Sequence, residues 1–425
     1  MPAGRAAEAP TDAAGAAAAI VVAMAAVAAA AVRIWRRVAW RRPLLVVGGG
    51  ARIRKRVEAT QALHRAYRPP LLAVHTVAQL ALHVAFPETK RVETGKHARF
   101  DREVLRLDDG GEVGFDWLAD DERSTTPLAH NAPLLVLLHT ITGGSHDFAG
   151  AAVLARRRGF RAVVLLRRGH LGTPLATPKF NLLGCKHDLH AQLCHIRARY
   201  PDAPITCLSS SAGTGLAVRY CGEKAEQCMI DALVCTCPGY DTTEGGAFAR
   251  MHSMLGSYLL RGVRNLFLHG GNARILQEHD PEGYHACKTS ATTMAEFQRN
   301  AYRFEGFESL EEYHECTNPM GVAANIKIPT LVINAEDDPV CTKQNVMDHI
   351  HLYQEENCER ALALTRFGSH CCYFEGEWLL PQGSRWCDRV AVDFLCQHVR
   401  LTEAGEAEEE EAAEAQQRAI SAAMM

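Results

Sequence analysis

Three residue types, in one chain order and at three strand ends, point to acyl chemistry. Residues 205–215 (ITCLSSSAGTG) open with an apolar run, turn through small residues and pass into a helical pattern at Leu216–Cys221. A strand, a sharp turn with Ser-x-Gly at its apex and a helix form a nucleophile elbow, which projects the serine hydroxyl off the end of a sheet. Strand and helix approach closely there, so the neighbours must be small. Of Ser209, Ser210 and Ser211, only Ser211 has a glycine two residues on, Gly213. Serine-rich turns are common after strands without any chemistry, so the partners decide. An acid and then a histidine are expected downstream, each after a later strand. The run Ile328–Asn334 leads into Ala335-Glu336-Asp337-Asp338-Pro339, and Ala361–Thr365 leads into Phe367-Gly368-Ser369-His370. Asp338 is preferred to Asp337 because it stands immediately before the loop that turns away at Pro339-Val340. Ser211, Asp338 and His370 are thus the candidate nucleophile, orienting acid and general base.

Acyl transfer also needs donors for the developing oxyanion. Pro133–Leu138 ends in His139-Thr140-Ile141-Thr142-Gly143-Gly144. The backbone N–H groups of Ile141 and Ala212 are the expected oxyanion hole. In this chemistry His370 takes the Ser211 proton, an acyl-enzyme forms, and water releases the acid. It needs no metal and no organic cofactor.

The elements that must position these groups can be read from the same patterning. Apolar runs at Pro133–Leu138, Arg161–Leu166, Ile205–Leu208, Ala232–Thr236, Ile328–Asn334 and Ala361–Thr365 alternate with helical segments, which predicts a mostly parallel sheet. Phe148–Arg158 reads as a helix ended by Gly159. Phe100–Leu118 alternates around Asp108-Asp109-Gly110-Gly111 and reads as a hairpin. Between Cys237 and Ile328, residues 248–260, 263–268, 294–304 and 310–314 read as helices with glycine breaks, a cap over the site at about 240–320. Its apolar positions Met251, Met254, Leu255, Tyr258 and Leu259 can line an acyl pocket or seal the cap, and core packing is the favoured reading. Residues 385–399 form an amphipathic terminal helix, followed by an acidic tail over 401–425.

With those residues in place, the chain resembles the membrane-anchored abhydrolase-domain (ABHD) lipases and esterases of the YheT-like branch of the α/β-hydrolases. The resemblance runs roughly from Tyr67 to Val399. It extends to Asp116-Trp117-Leu118, Arg168-Gly169, His187-Asp188-Leu189, Tyr313 and Tyr373-Phe374-Glu375-Gly376. It implies an α/β-hydrolase fold and carries the roles of nucleophile, acid and base onto Ser211, Asp338 and His370. Three positions depart from the family pattern: Ser209 and Thr140 where glycine is usual, and Gly368-Ser369 where a glycine pair is usual. The resemblance implies short- to medium-chain acyl esters, acylglycerols or phospholipids as substrates. Two other readings use the same residues: a hydrolase-fold scaffold that has lost activity, motivated by the three departures, and an acyltransferase.

The 425 residues are read as one catalytic domain with additions at either end. Residues 1–12, made of Ala, Pro and charged residues, are expected to be a disordered N-terminus. Ala13–Val32 carries no charge and would be about 30 Å long as a helix, so 13–35 is expected to be a single-pass transmembrane anchor, with Trp35 and Trp40 in the headgroup belt. Alanine, which inserts less readily than leucine, is its weakness. Arg33, Arg36, Arg37, Arg41 and Arg42 follow the run, which places the catalytic domain on the cytosolic side. Residues 36–94 form a basic juxtamembrane and amphipathic segment, able to hold anionic lipid, and 95–400 form the hydrolase domain. The 15 cysteines, scattered and odd in number, fit a reducing compartment. His190 and Cys194 lie one helical turn apart, but no second cluster complements them as a zinc site. A net charge of −3 and the lack of interleaved basic and aromatic residues argue against a nucleic-acid partner.

Overall fold

The computed structural model describes residues 13–85, 98–120 and 127–423, with side chains described from 21 to 405. The N-terminus at 1–12, and part of the expected 36–94 segment, lie outside the described residues. Nine strands form one sheet: β1 (Leu44–Val47), β2 (Phe100–Arg106), β3 (Glu112–Leu118), β4 (Leu134–Leu138), β5 (Arg161–Leu166), β6 (Ile205–Ser210), β7 (Ala232–Thr236), β8 (Thr330–Ala335) and β9 (Arg360–Thr365). Their spatial order is β1-β9-β8-β7-β6-β4-β5-β3-β2. β4 to β9 are mutually parallel, while β1, β2 and β3 add antiparallel edges. The expected hairpin is the β2–β3 pair, joined at Asp108–Gly111.

Strand periodicity sorts side chains into two cores. On β4, Leu135 and Leu137 join one cluster and Leu134, Val136 and Leu138 the other. The helices, in chain order, are α1 (Ala13–Ala39), α2 (Ala51–Ala59), α3 (Thr76–Ala85), α4 (Ala149–Arg157), α5 (Lys186–Arg199) and α6 (Ala212–Lys224). α7 (Ala247–Arg250), α8 (Ser253–Phe267), α9 (Gly271–His279), α10 (Pro281–His285), α11 (Met294–Ala301) and α12 (Leu310–Thr317) follow β7, and α13 (Lys343–Asp348) and α14 (Trp386–Ala423) complete the set. α2, α4 and α14 cover the first face of the sheet; α5 and α6 cover the second. Both faces are therefore dry, which is why the central strands read as continuous apolar runs rather than alternating ones. Helices α7 to α12 form the cap, held by Phe267, Phe297 and Phe304 against Phe180 and Leu182.

Several expectations are corrected. The run at 13–35 does form a helix, α1, but a spanning anchor finds no support: among the described residues no helix is long and apolar enough to cross a membrane. Alanine dominates the helix, and Arg33, Arg36 and Arg37 enter it before its end. Trp40 docks on the domain instead of standing free, with the Arg36 and Arg68 guanidinium groups over its ring. Strand β1 escaped the sequence reading; four residues bounded by Pro43 and Gly48 are too short to show a period, and only pairing with β9 makes them a strand. In the cap, Met251 packs on Val340 and Cys341 and Leu259 reaches the cavity, but Met254 and Tyr258 are exposed, doing neither expected job. The terminal helix runs on through the acidic tail to Ala423.

Candidate active site

The sheet delivers the candidate residues at the carboxyl ends of β4, β6, β8 and β9. At the end of β6 the chain reverses at Ser211, with φ 51° and ψ −119°. This is a left-handed conformation for a residue with a Cβ, and so a strained one. Two features hold it: Ser211 N donates to Thr236 O of β7 at 2.9 Å, and helix α6 starts at once. Gly213 is obligatory, because a Cβ there would meet Leu138 O at 2.4 Å and His139 O at 2.8 Å. Ser209, at a usual glycine position, is accommodated by donating its hydroxyl to Val234 O at 3.1 Å.

Ser211, Asp338 and His370 come together. Ser211 Oγ lies 2.8 Å from His370 Nε2, and His370 Nδ1 lies 3.0 and 3.2 Å from the two Asp338 oxygens. Asp338 Oδ1 also accepts from the N–H groups of Val340 and Cys341, each at 2.8 Å. The acid is therefore fixed by its own loop, and it fixes the ring. With Nδ1 facing the carboxylate, Nε2 is left to accept from the serine hydroxyl. Burial works against a charged His370, but Cys371, Asp338 and Cys341 around it outweigh that and hold its pKa well above the ordinary histidine value.

Ile141 and Ala212 face the same cavity as Ser211. Ala212 opens α6, so its N–H is one of the four that a helix leaves without an intrahelical partner. The cavity, about 950 Å³ with its open mouth, is largely apolar and narrow. It runs from Ser211 past Thr214 and Val218 of α6 to Thr330 and Arg360, the first residues of β8 and β9. Ser210 is level with Thr236 and Ile333 in the sheet register. From the serine to Thr330 is therefore four strand steps, about 13 Å.

Three groups escaped the sequence reading. Asp337, set aside in favour of Asp338, holds the base loop: its Oδ1 accepts from Ser369 N and its Oδ2 from Gln79 Nε2, each at 2.8 Å. Part of the expected 36–94 amphipathic segment, α3, thus packs onto Asp337 through Gln79. Burial raises the Asp337 pKa to about 6. Arg167 and the pair His139 and His170 lie behind the Thr140–Ile141 loop, all three buried. Burial keeps both rings neutral, lowering His170 to about 3. The signal was present as charged residues at the end of a buried strand, but only the fold shows what they face. Arg168, by contrast, forms a forked pair with Asp188 at 2.7 and 2.8 Å, tying the end of β5 to α5.

Among the described residues, two donor groups could hold a metal on proximity alone: Cys237, His370 and Cys371, and Asp338, Cys341 and His370, each with ligand atoms within 4.8 Å of one another. Both His370 nitrogens already serve Ser211 and Asp338, so a metal there would dismantle the relay. His190 and Cys194, 3.7 Å apart on α5, gain no third ligand among the described residues.

A family model described as serine aminopeptidase, S33, matches residues 129–377, a span that holds all five candidate residues. Among curated proteins, the chain is 26% identical over 372 residues to the embryogenesis-associated protein EMB8 of Picea glauca, covering 83% of this chain and 79% of that one. It is 23% identical to phospholipase ABHD3 of Homo sapiens, over 84% of each chain. It is 27% identical to monoacylglycerol lipase ABHD2 of Danio rerio, over 80% of this chain and 82% of the other.

Proposed function

The chain belongs to the serine aminopeptidase S33 family of α/β-hydrolases, and from that premise we propose that it hydrolyses carboxylic esters of lipids, acylglycerols or phospholipids of short to medium chain, through Ser211, His370 and Asp338. The observation that carries this reading is the hydrogen-bonded line Asp338–His370–Ser211 opening onto an apolar channel. In the proposed reaction Ser211 attacks the ester carbonyl as His370 takes its proton. Asp338 stabilises the imidazolium. The N–H groups of Ile141 and Ala212 hold the oxyanion, each worth about 3 kcal/mol. His370 then gives its proton to the leaving alcohol, and water repeats the sequence on the acyl-enzyme. A channel about 13 Å deep suits a medium-length acyl chain and would leave the headgroup at the mouth.

The reading includes attachment to a lipid surface on the cytosolic side. Val21, Val22, Met24 and Val27 of α1 are exposed, and five arginines follow between Arg33 and Arg42. Apolar side chains beside basic ones suit an anionic leaflet. Against the scaffold alternative stands the alignment of all three side chains, which a lost enzyme has no need to keep. Labelling with a fluorophosphonate probe tests the reading. Wild type is expected to label and Ser211→Ala not to label; an unlabelled, folded wild type would refute it.

A further inference from the structure

We propose that Arg167 is a positioning residue for the oxyanion hole, acting through the Thr140–Ile141 peptide as a fixed cation behind it; this rests on the reading of Ile141 as an oxyanion donor. The Thr140 carbonyl accepts from Arg167 Nη2 at 2.6 Å, from His139 Nδ1 at 2.8 Å and from Gly143 N at 3.4 Å. The His139 proton is assigned by its other nitrogen. Nε2 accepts the Arg167 backbone N–H at 3.3 Å, so Nδ1 carries the hydrogen and donates it. Two side chains therefore pull one carbonyl to the rear of the loop.

That carbonyl shares a planar trans peptide with the N–H of Ile141. In such a unit the two bonds point in opposite directions. Drawing Thr140 O towards Arg167 therefore turns the Ile141 N–H away from Arg167, to the side of the loop where Ile141, Ser211 and Ala212 share a cavity. The next carbonyl, Ile141 O, also lies on this side of the loop, 3.1 Å from His170 Nε2. Thr140, where the family uses glycine, is thus held in place by its own carbonyl.

Charge is the second part. Arg167 is buried, and among the described residues its guanidinium donates to Thr140 O and lies against the His139 and His170 rings, with no carboxylate in an ion pair. Glu305, the acid whose charge bears on Arg167, is pushed up to about 8 by burial and is mostly neutral near pH 7. Arg167 itself is lowered to about 9 and stays charged. A buried cation without a counter-charge is unfavourable in the resting protein. The negative charge that appears on the oxyanion during reaction supplies the missing partner, so the interaction is stronger in the transition state than in the ground state. Across the peptide the two charges stand about 8 Å apart; at an effective dielectric of about 20, that corresponds to about 30-fold in rate.

The test uses the full chain with Arg167→Gln, Arg167→Met and Arg167→Lys, assayed for ester hydrolysis and for binding of a trifluoromethyl ketone, which forms the oxyanion, and of a non-cleavable ether analogue, which does not. The neutral variants are expected to lose 10- to 100-fold in kcat and in ketone affinity, with KM and ether affinity within about 3-fold. Arg167→Lys is expected to recover most of the loss. Ketone affinity in Arg167→Gln equal to wild type overturns the proposal, as does an equal loss for ketone and ether. Failure of both neutral variants to fold overturns it too, since His139 alone should keep the loop in place. An inactive wild type would instead refute the function reading itself.

Discussion

Replacing Asp337 with asparagine should make the protein more stable at neutral pH and leave most of its activity, although the residue is an acid beside the active site. Asp337 is mostly buried, next to Asp338, and burial is the main reason its pKa rises to about 6. A free aspartate titrates near 3.9. Between those values the folded state binds more protons than the unfolded state, so stability falls as pH rises. The contribution is fully present below about pH 4 and is lost as pH passes 6. Two pKa units correspond to about 3 kcal/mol against the fold at pH 7, as an upper bound. Asparagine removes that charge. Its Oδ1 can still accept from Ser369 N, and its amide can donate to Gln79 if that side chain turns over. Gln79 Oε1 is buried and unpartnered in the wild type, so the turn leaves no worse an arrangement. Urea unfolding of wild type and Asp337→Asn from pH 4 to 8 should show a variant advantage of about 1–3 kcal/mol at pH 7 that vanishes near pH 4. A difference that does not change with pH, or a variant less stable at pH 7, would refute the linkage argument. A loss of activity as deep as that of Asp338→Asn would refute the assignment of roles within the acid pair.

Asp338→Asn is expected to lower kcat about 10⁴-fold while leaving the fold intact. His370 must be neutral to accept the serine proton, so its raised pKa should place the acid limb of kcat/KM above the ordinary histidine range; the limb of residual activity in Asp338→Asn should move to lower pH. Val218→Trp, which fills the channel midway along α6, should cut kcat/KM for dodecanoyl esters at least 10-fold more than for butanoyl esters. Equal losses across a series of p-nitrophenyl esters would place the acyl chain elsewhere.

Much of the architecture is local in origin and so was legible. The runs at Leu134–Leu138, Arg161–Leu166 and Ala232–Thr236 are continuous because helices cover both faces of their strands. The elbow at Ser211 shows in the small residues that close approach requires. Chain order, together with a place just after the Ala361–Thr365 run, selected His370 from 20 histidines. A bilayer-spanning anchor at 13–35 finds no support among the described residues, where Arg33, Arg36 and Arg37 interrupt the second half of the helix. β1 was missed because four residues have no detectable period and exist as a strand only through β9.

The local sequence, then, determined which strands end in the candidate nucleophile, acid and base, since each is set by a short-range pattern of burial and turn chemistry. Tertiary structure decided which neighbouring groups serve them. Asp337 and Asp338 are adjacent and chemically identical, yet one faces His370 and the other Gln79 and Ser369. Arg167 follows a buried strand like many surface arginines, yet the parallel pairing of β4 with β5 carries it behind the Thr140–Ile141 loop. Neither distinction is encoded within a few residues, because each depends on contacts between segments that are far apart in the chain and meet only in the packed sheet.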